Sequence, residues 1–315
     1  MNWKKWLKIF ICGFLYYSKI VALFRHFYLK NQGAILAYHQ ISGEQLEKHI
    51  DYLKKFYNLI SYQKFIDHLS QNNLPPHSVC LTFDDGYRTV FTENLPILLK
   101  NKISAIVFLV VDLLNGVPGA WWEELRFAII STQKPKIVFN QKEYYLKNQT
   151  QRENVYQKLL KQLKSLPQQE KMTELDALLN QLEVHRGRSS AIFMNVNEAK
   201  QFIENGMEAG SHTISHPILS EIGTKDCVTE IKVSREKLNQ ILNYQIRHFS
   251  YPNGAVHDFS PESVEIVRQA GYQSAVTLMP GKNSSERDLL QLRRIEVGDE
   301  NGVSVLATKL AGLFW

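Results

Sequence analysis

Residues 82–86 read Thr82-Phe83-Asp84-Asp85-Gly86, and residues 211–216 read Ser211-His212-Thr213-Ile214-Ser215-His216. Adjacent carboxylates and two histidines four residues apart are side chains that can hold a divalent ion, which takes a few oxygen and nitrogen ligands and keeps a position open for water. A separate carboxylate can then accept that water's proton. The chemistry these parts suit is metal-assisted hydrolysis. Each motif also has a plainer reading by itself. Asp-Gly is a common turn dipeptide, and a lone histidine is usually packed or solvated. Taken together they favour a site. Two neighbouring carboxylates repel unless a cation or a shared proton intervenes. Pro217 disfavours α geometry at His216, so the histidines belong to a strand end bending into a turn. Asp85, His212 and His216 then make a two-histidine, one-carboxylate face. That face suits Zn2+ in a hydrolase, and iron, cobalt or nickel would also fit it.

The surrounding pattern supplies the scaffold. Gly33 to Gln40 reads as a buried strand, 44–56 as a helix with Leu46, His49, Ile50 and Leu53 on one side, and Val79 to Phe83 as a second buried strand ending at the Asp84-Asp85-Gly86 turn. A helix near 89–101 and a strand over 105–110 follow. The rhythm resumes with a helix at 196–205, strand 207–212, helix 226–242, strand 246–252, helix 261–270 and strands 273–277 and 292–297. Strands alternating with helices imply an α/β fold with a mostly parallel sheet, in which the C-terminal strand ends carry the site. Between about 116 and 194 the alternation pauses. Trp121-Trp122-Glu123-Glu124 opens a helix, 136–145 suits a hairpin, and two amphipathic helices flank Pro167. This insertion reads either as a roof over the site or as a partner-binding hairpin.

Thr82-Phe83-Asp84-Asp85-Gly86, His212-Thr213-x-x-His216 and Phe249-Ser250-Tyr251-Pro252-Asn253-Gly254 resemble, in order, the first three motifs of the NodB-homology polysaccharide deacetylases, carbohydrate esterase family four. Tyr38-His39 and Gly271-Tyr272 agree with that resemblance, which covers roughly residues 33–115 and 195–300. It implies a distorted (β/α)7 barrel over 33–315 that removes N-acetyl groups from an N-acetylated carbohydrate. It further implies Asp84 as the base, Asp85, His212 and His216 as metal ligands, and a substrate and oxyanion loop at Tyr251, Pro252, Asn253 and Gly254, with Tyr251 either lining the pocket or in the core. The chain departs from the family in two places. Ser250 stands where many members carry an arginine that positions the base, and Arg293 or Arg294 is the candidate substitute. No histidine follows His257, although members usually supply a late general-acid histidine. His39 resembles the acid of a branch in which the early Tyr-His strand takes that role. A structural His39 and a solvated His257 are the alternatives.

Six of the 37 basic residues, Lys4, Lys5, Lys8, Lys19, Arg25 and Lys30, lie within 1–30 beside no acidic residue. The remainder therefore holds 31 basic against 31 acidic side chains, so the net charge of +6 is local and a nucleic-acid partner is not expected. Within 1–32, Trp3, Trp6, Leu7, Phe10, Ile11, Phe14, Leu15 and Ser18 keep a helical period. The uncharged run is short for a spanning helix, which needs ~20 apolar residues, and no clear cleavage site follows it. An amphipathic helix on a membrane surface is the expectation, peripheral on the cytoplasmic side. A helix capping the barrel is the rival. Cys12, Cys80 and Cys227 form no motif.

Overall fold

The computed structural model describes residues 3–18, 20–28, 32–117, 119–185 and 192–313. Lys19 and Lys30 lie outside the described residues, as do the side chains of Trp3, Lys4, Lys5, Trp6 and Arg25. Two helices open the chain, α1 (Trp3–Tyr17) and α2 (Ile20–Tyr28). The apolar run after Gly33 forms β1 (Ala34–Tyr38), followed by α3 (Gly43–Phe56), whose Ser42 side chain accepts from Gln45 N and caps the helix. Leu46, His49, Ile50 and Leu53 are buried, the face that their spacing predicts.

Two elements come next that the sequence reading passed over, β2 (Asn58–Leu59) and α4 (Tyr62–Ser70). The barrel then continues through β3 (Ser78–Phe83), a π-helical turn at Val90–Asn94 leading into α5 (Leu95–Asn101), and β4 (Ala105–Leu109). After the short α6 (Val111–Leu114) the insertion follows: α7 (Trp121–Ser131), the antiparallel hairpin β5 (Lys136–Phe139) and β6 (Lys142–Tyr145), α8 (Gln149–Lys164) and α9 (Gln168–Leu182). It carries its own apolar cluster, including Leu125, Ile129, Leu159, Leu163, Leu175 and Leu178. The βα alternation returns with α10 (Val196–Glu204), β7 (Glu208–Ser211), α11 (Thr224–Val228), α12 (Ser234–Leu242), β8 (His248–Ser250), α13 (Pro261–Gln269), β9 (Ser274–Pro280), β10 (Leu292–Glu296) and α14 (Val303–Leu310).

Seven strands close into a parallel barrel in the order β1-β3-β4-β7-β8-β9-β10, with β10 returning to β1 and β2 a short addition beside β3. This is the (β/α)7 architecture that the motif order implies. Alternate residues of a strand face the same side, which sorts the barrel interior into levels. Ile35, Cys80, Ile106, Phe108, Val276 and Leu292 pack with Tyr62, Phe65, Ile66 and Leu69 of α4, closing one end with apolar side chains. Glu208 caps α4 there, accepting from Tyr62 N at 2.8 Å and Gln63 N at 2.9 Å. Two residues further along the same strands, the interior turns polar: Thr82 and Asp84 follow Cys80, Arg294 follows Leu292, and His212 follows Gly210. The functional residues therefore collect at the opposite end, beyond the C-terminal strand ends.

Gly210 shows how tightly that interior is filled. A Cβ there would lie 2.4 Å from a Phe108 ring carbon and 3.0 Å from His248 O. Gly210→Ala is expected to destabilise the fold by about 1–3 kcal/mol through overpacking, read as a lower unfolding midpoint; an unchanged midpoint would show that the barrel can relax at this level.

Candidate active site

The centre of the site is a carboxylate held by one arginine. Asp84 follows the last residue of β3, where its N–H donates to Tyr38 O at 2.8 Å. Arg294, from the middle of β10, donates to Asp84 through Nη1 at 2.8 Å and through Nη2 at 2.6 Å. Its remaining donors reach Thr82 Oγ1 at 3.1 Å, Ser250 Oγ at 3.0 Å and Thr277 O at 2.8 Å. All five guanidinium N–H groups therefore have partners, although neither Arg294 nor Asp84 is more than 1% exposed. Burial alone would raise the Asp84 pKa. Arg294, with His212 and His39 nearby, overcomes that and holds the carboxyl well below the usual range. Arg294 thus brings a guanidinium from β10 to the place where Ser250 of β8 has only a hydroxyl. Arg293 faces elsewhere, its N–H bonded to Asn283 Oδ1 and its guanidinium near Pro280 O.

Asp85 turns the other way because its backbone is left-handed, at φ 68°. Its Oδ1 lies 3.5 Å from His212 Nε2 and 3.4 Å from His216 Nε2, and the two imidazole nitrogens are 3.2 Å apart. His212 follows the last residue of β7. Its Nδ1 is 2.7 Å from Ser250 O; a carbonyl only accepts, so Nδ1 carries the proton and Nε2 presents a lone pair. The His216 turn is pinned by Thr213 Oγ1, which accepts from His216 N at 3.0 Å, and by Glu230, whose Oε2 accepts from Ile214 N at 2.7 Å and Ser215 N at 3.0 Å. The Trp122 ring covers His216, 4.8 Å between centroids.

These three atoms fit a divalent cation. The buried Asp85 Oδ1 has no hydrogen-bond partner among the described residues. Three ligands on a tetrahedral metal at ~2.0–2.1 Å would stand about 3.3–3.4 Å apart, close to the separations found. Burial pushes the Asp85 pKa up and the His216 pKa down, which disfavours the charged form of each when no cation is present.

His39 stands at the rim, one residue past β1. Its Nε2 is 4.0 Å from Asp84 Oδ2 and its Nδ1 is 4.0 Å from Glu296 Oε1. Glu296 and Arg294 are alternate residues of β10, so one strand reaches both the base and this histidine. His257 is instead a surface residue beside Asp258, away from the cavity lining. In the third-motif loop, the Tyr251 N–H is used on Val276 O at 3.1 Å and the Gly254 N–H on Pro252 O at 2.6 Å. The Asn253 N–H has no partner among the described residues. Asn253 and Gly254 are both left-handed, at φ 58° and 68°, and a Cβ on Gly254 would lie 2.6 Å from Leu278 N. Pro252 precedes this bend. Tyr251 corrects one expectation, since it does not line the pocket. Its ring stacks on Phe259 at 4.4 Å and its hydroxyl donates to Leu290 O at 3.0 Å. The strand pleat turns it outward from the barrel, into the core beneath α13.

His39, Asp85, His216 and Asn253 border a cavity of about 840 Å³. Its wall includes residues that the sequence reading did not single out as functional. Trp122 Nε1 donates to the Tyr87 hydroxyl at 2.9 Å, and that hydroxyl donates to Glu123 Oε1 at 2.9 Å. Tyr87 was legible as the residue after Asp84-Asp85-Gly86. Trp122 and Glu123 come from the insertion, and nothing local in the sequence says that α7 folds back over the metal face.

Two outcomes follow from this geometry. Asp84 has a lower pKa folded than unfolded, so its stabilising contribution is present above the unfolded carboxylate pKa of ~3.9 and is lost as pH falls through the depressed folded value. In Arg294→Met the buried carboxylate lacks its partner and its folded pKa rises, which reverses the sign. The variant is expected to lose about 3–5 kcal/mol at pH 7, with a smaller deficit at pH 4; a deficit independent of pH would refute the pairing. For the metal face, chelation should lower the unfolding midpoint of wild type and leave Asp85→Asn/His216→Ala unmoved, as followed by calorimetry with metal analysis.

The polysaccharide deacetylase family model matches residues 71–126 and 178–275, interrupted across most of the insertion. A curated relative from Bacillus subtilis (strain 168), named as polysaccharide deacetylase YxkH, is 27% identical over 100 residues, covering 32% of this chain and 35% of its own. The match thus spans about a third of that relative's length. Among solved structures, the Streptococcus pyogenes deacetylase PplD superposes with a TM-score of 0.60 at 18% identity, over 89% of this chain and 98% of its own. The BpsB deacetylase domain of Bordetella bronchiseptica gives 0.57 at 18% identity, over 85% and 96%. The structural likenesses show the fold, and the family model spans both motif-bearing parts of the barrel: the chain belongs to the polysaccharide deacetylase family.

Proposed function

We propose that the protein is a metal-dependent hydrolase that removes N-acetyl groups from an amino-sugar unit of a glycan or lipid-linked glycan. The observation that carries this reading is the placement of a buried, arginine-paired Asp84 beside the Asp85, His212 and His216 face at one end of an open cavity. Zinc is the ion that this donor set suits best. Asp85, His212 and His216 would hold such an ion, which would supply Lewis acidity at the amide carbonyl. Asp84, oriented by Arg294, accepts a proton from the attacking water. The Asn253 N–H donates to the oxygen on which charge develops. His39, 4.0 Å from Asp84, returns a proton to the departing amine nitrogen, and Glu296 steadies the imidazolium. The bond formed is carbon to oxygen and the bond broken is carbon to nitrogen, giving acetate and a free amine. The acetyl assignment draws support from the Streptococcus pyogenes deacetylase, whose structure holds acetate.

Acetate release from acetylated glucosamine oligomers by metal-loaded protein tests the reading. Wild type should release acetate. Asp84→Asn and His39→Ala should each lose roughly 10²–10⁴-fold in kcat with metal content intact, and His212→Ala should lose the metal as well. Formate release from the formylated oligomer in place of acetate would move the assignment to a deformylase. Full turnover by His39→Ala would remove the acid role, and a metal-loaded wild type inert on both oligomers would exclude the soluble glycan and leave a lipid-linked substrate, another acyl group or a site kept for binding.

A further inference from the structure

The first helix has two apolar faces, one buried and the other exposed among the described residues. Cys12 is fully buried, Leu15 and Tyr16 pack on the main core, and Tyr16 meets the Tyr52 ring at 6.1 Å. This inner face fixes α1 to the barrel beside α14. Leu7, Phe10, Phe14 and Tyr17 recur at helical spacing on the other side, at 41%, 60%, 64% and 82% exposure. On α2, Val21 is buried while Leu23 and Phe24 are exposed. Seven of the fourteen large hydrophobic residues exposed among the described residues thus fall between Leu7 and Phe24. Because the inner face is docked, α1 cannot rotate to bury the outer one. Contiguous exposed apolar surface of this kind marks an interaction site.

Charge identifies the occupant. The segment 1–30 carries six Lys and Arg residues and no acidic one, whereas the rest of the chain is balanced. A second copy docked through the same stripe would bring two such segments together, and like charges oppose that pairing. An anionic surface would be attracted by them. Among the described residues no helix is long and apolar enough to cross a membrane, so the geometry is that of helices lying in an interface. We propose that α1 and α2 dock the protein on an anionic lipid bilayer, with Leu7, Phe10, Phe14, Tyr17, Leu23 and Phe24 entering the headgroup and acyl boundary. The docked inner face makes the barrel ride on the membrane as a rigid body, without a flexible tether.

Sedimentation of the full chain with vesicles tests this without any need for turnover, so it stands or falls apart from the hydrolase reading. Phosphatidylcholine vesicles with ~30% phosphatidylglycerol should bind wild type at least about tenfold more tightly than phosphatidylcholine alone, and added salt should weaken that binding. Phe10→Ser/Phe14→Ser should weaken it by roughly tenfold or more, with an unchanged unfolding midpoint. Equal binding by the variant, or no binding to anionic vesicles, would overturn the proposal. A wild-type dimer in dilute solution that the variant converts to monomer would overturn it too, by assigning the stripe to a second copy.

Discussion

The Asp84–Arg294 pair is the constraint around which the barrel end is built. Two full charges leave water there, and their attraction offsets desolvation only if every remaining donor is satisfied. Arg294 meets that condition by reaching four strands: Thr82 and Asp84 at β3, Ser250 on β8, Thr277 on β9 and its own β10. Such a pair contributes little net stability compared with apolar packing. What it enforces is register, because a slip of one residue in β10 would turn the guanidinium out of the barrel. The chemistry explains why an apolar substitute would not serve. A base beside the candidate metal face, the role proposed for Asp84, would have to stay ionised in a dry place, and the Arg294 guanidinium holds the carboxyl in that form.

The rest of the site is set by backbone conformations that ordinary residues avoid. Asp85, Thr213, His216 and Asn253 all have φ between 58° and 70°, each at some conformational cost. Each sits where a strand has just ended and its side chain or amide must be re-aimed towards one point. Compensating contacts lie close by. Glu230 takes three hydrogen bonds from the Ile214–Ser215 turn, and Trp122 covers His216. The site is thus rigid because neighbouring residues hold it against its own local preferences.

Much of this was legible in the sequence, for identifiable reasons. Short apolar runs such as Ala34–Tyr38 and Ala105–Leu109 admit no solvated face, so the strands were readable and the barrel followed from their order. The metal face was readable because its residues are chemically costly together unless a cation joins them. The short β2 and the nine-residue α4 were not readable. Pro75-Pro76 and polar flanks hid them, and the Ser61 cap of α4 is seen only in the structure. Helix α14 escaped for the same reason of length. Choosing between Arg293 and Arg294 required the pleat of β10, and the cavity wall formed by Trp122 and Glu123 required knowing how the insertion folds back. For Tyr251, pocket and core were both open in the sequence, and only the alternation of the strand decides for the core.

The position of β10 has a consequence in time. Asp84 is synthesised early in the chain, and Arg294 arrives 210 residues later, on the strand that pairs with β1 and seals the barrel. Until that strand is delivered, the interior carries an acidic group with no counter-charge and an open edge on either side. Barrel closure and assembly of the base are therefore a single event. A growing or truncated chain holds all three candidate metal ligands but lacks the guanidinium that pairs with Asp84, so the candidate site is complete only when the last strand has been made and has docked.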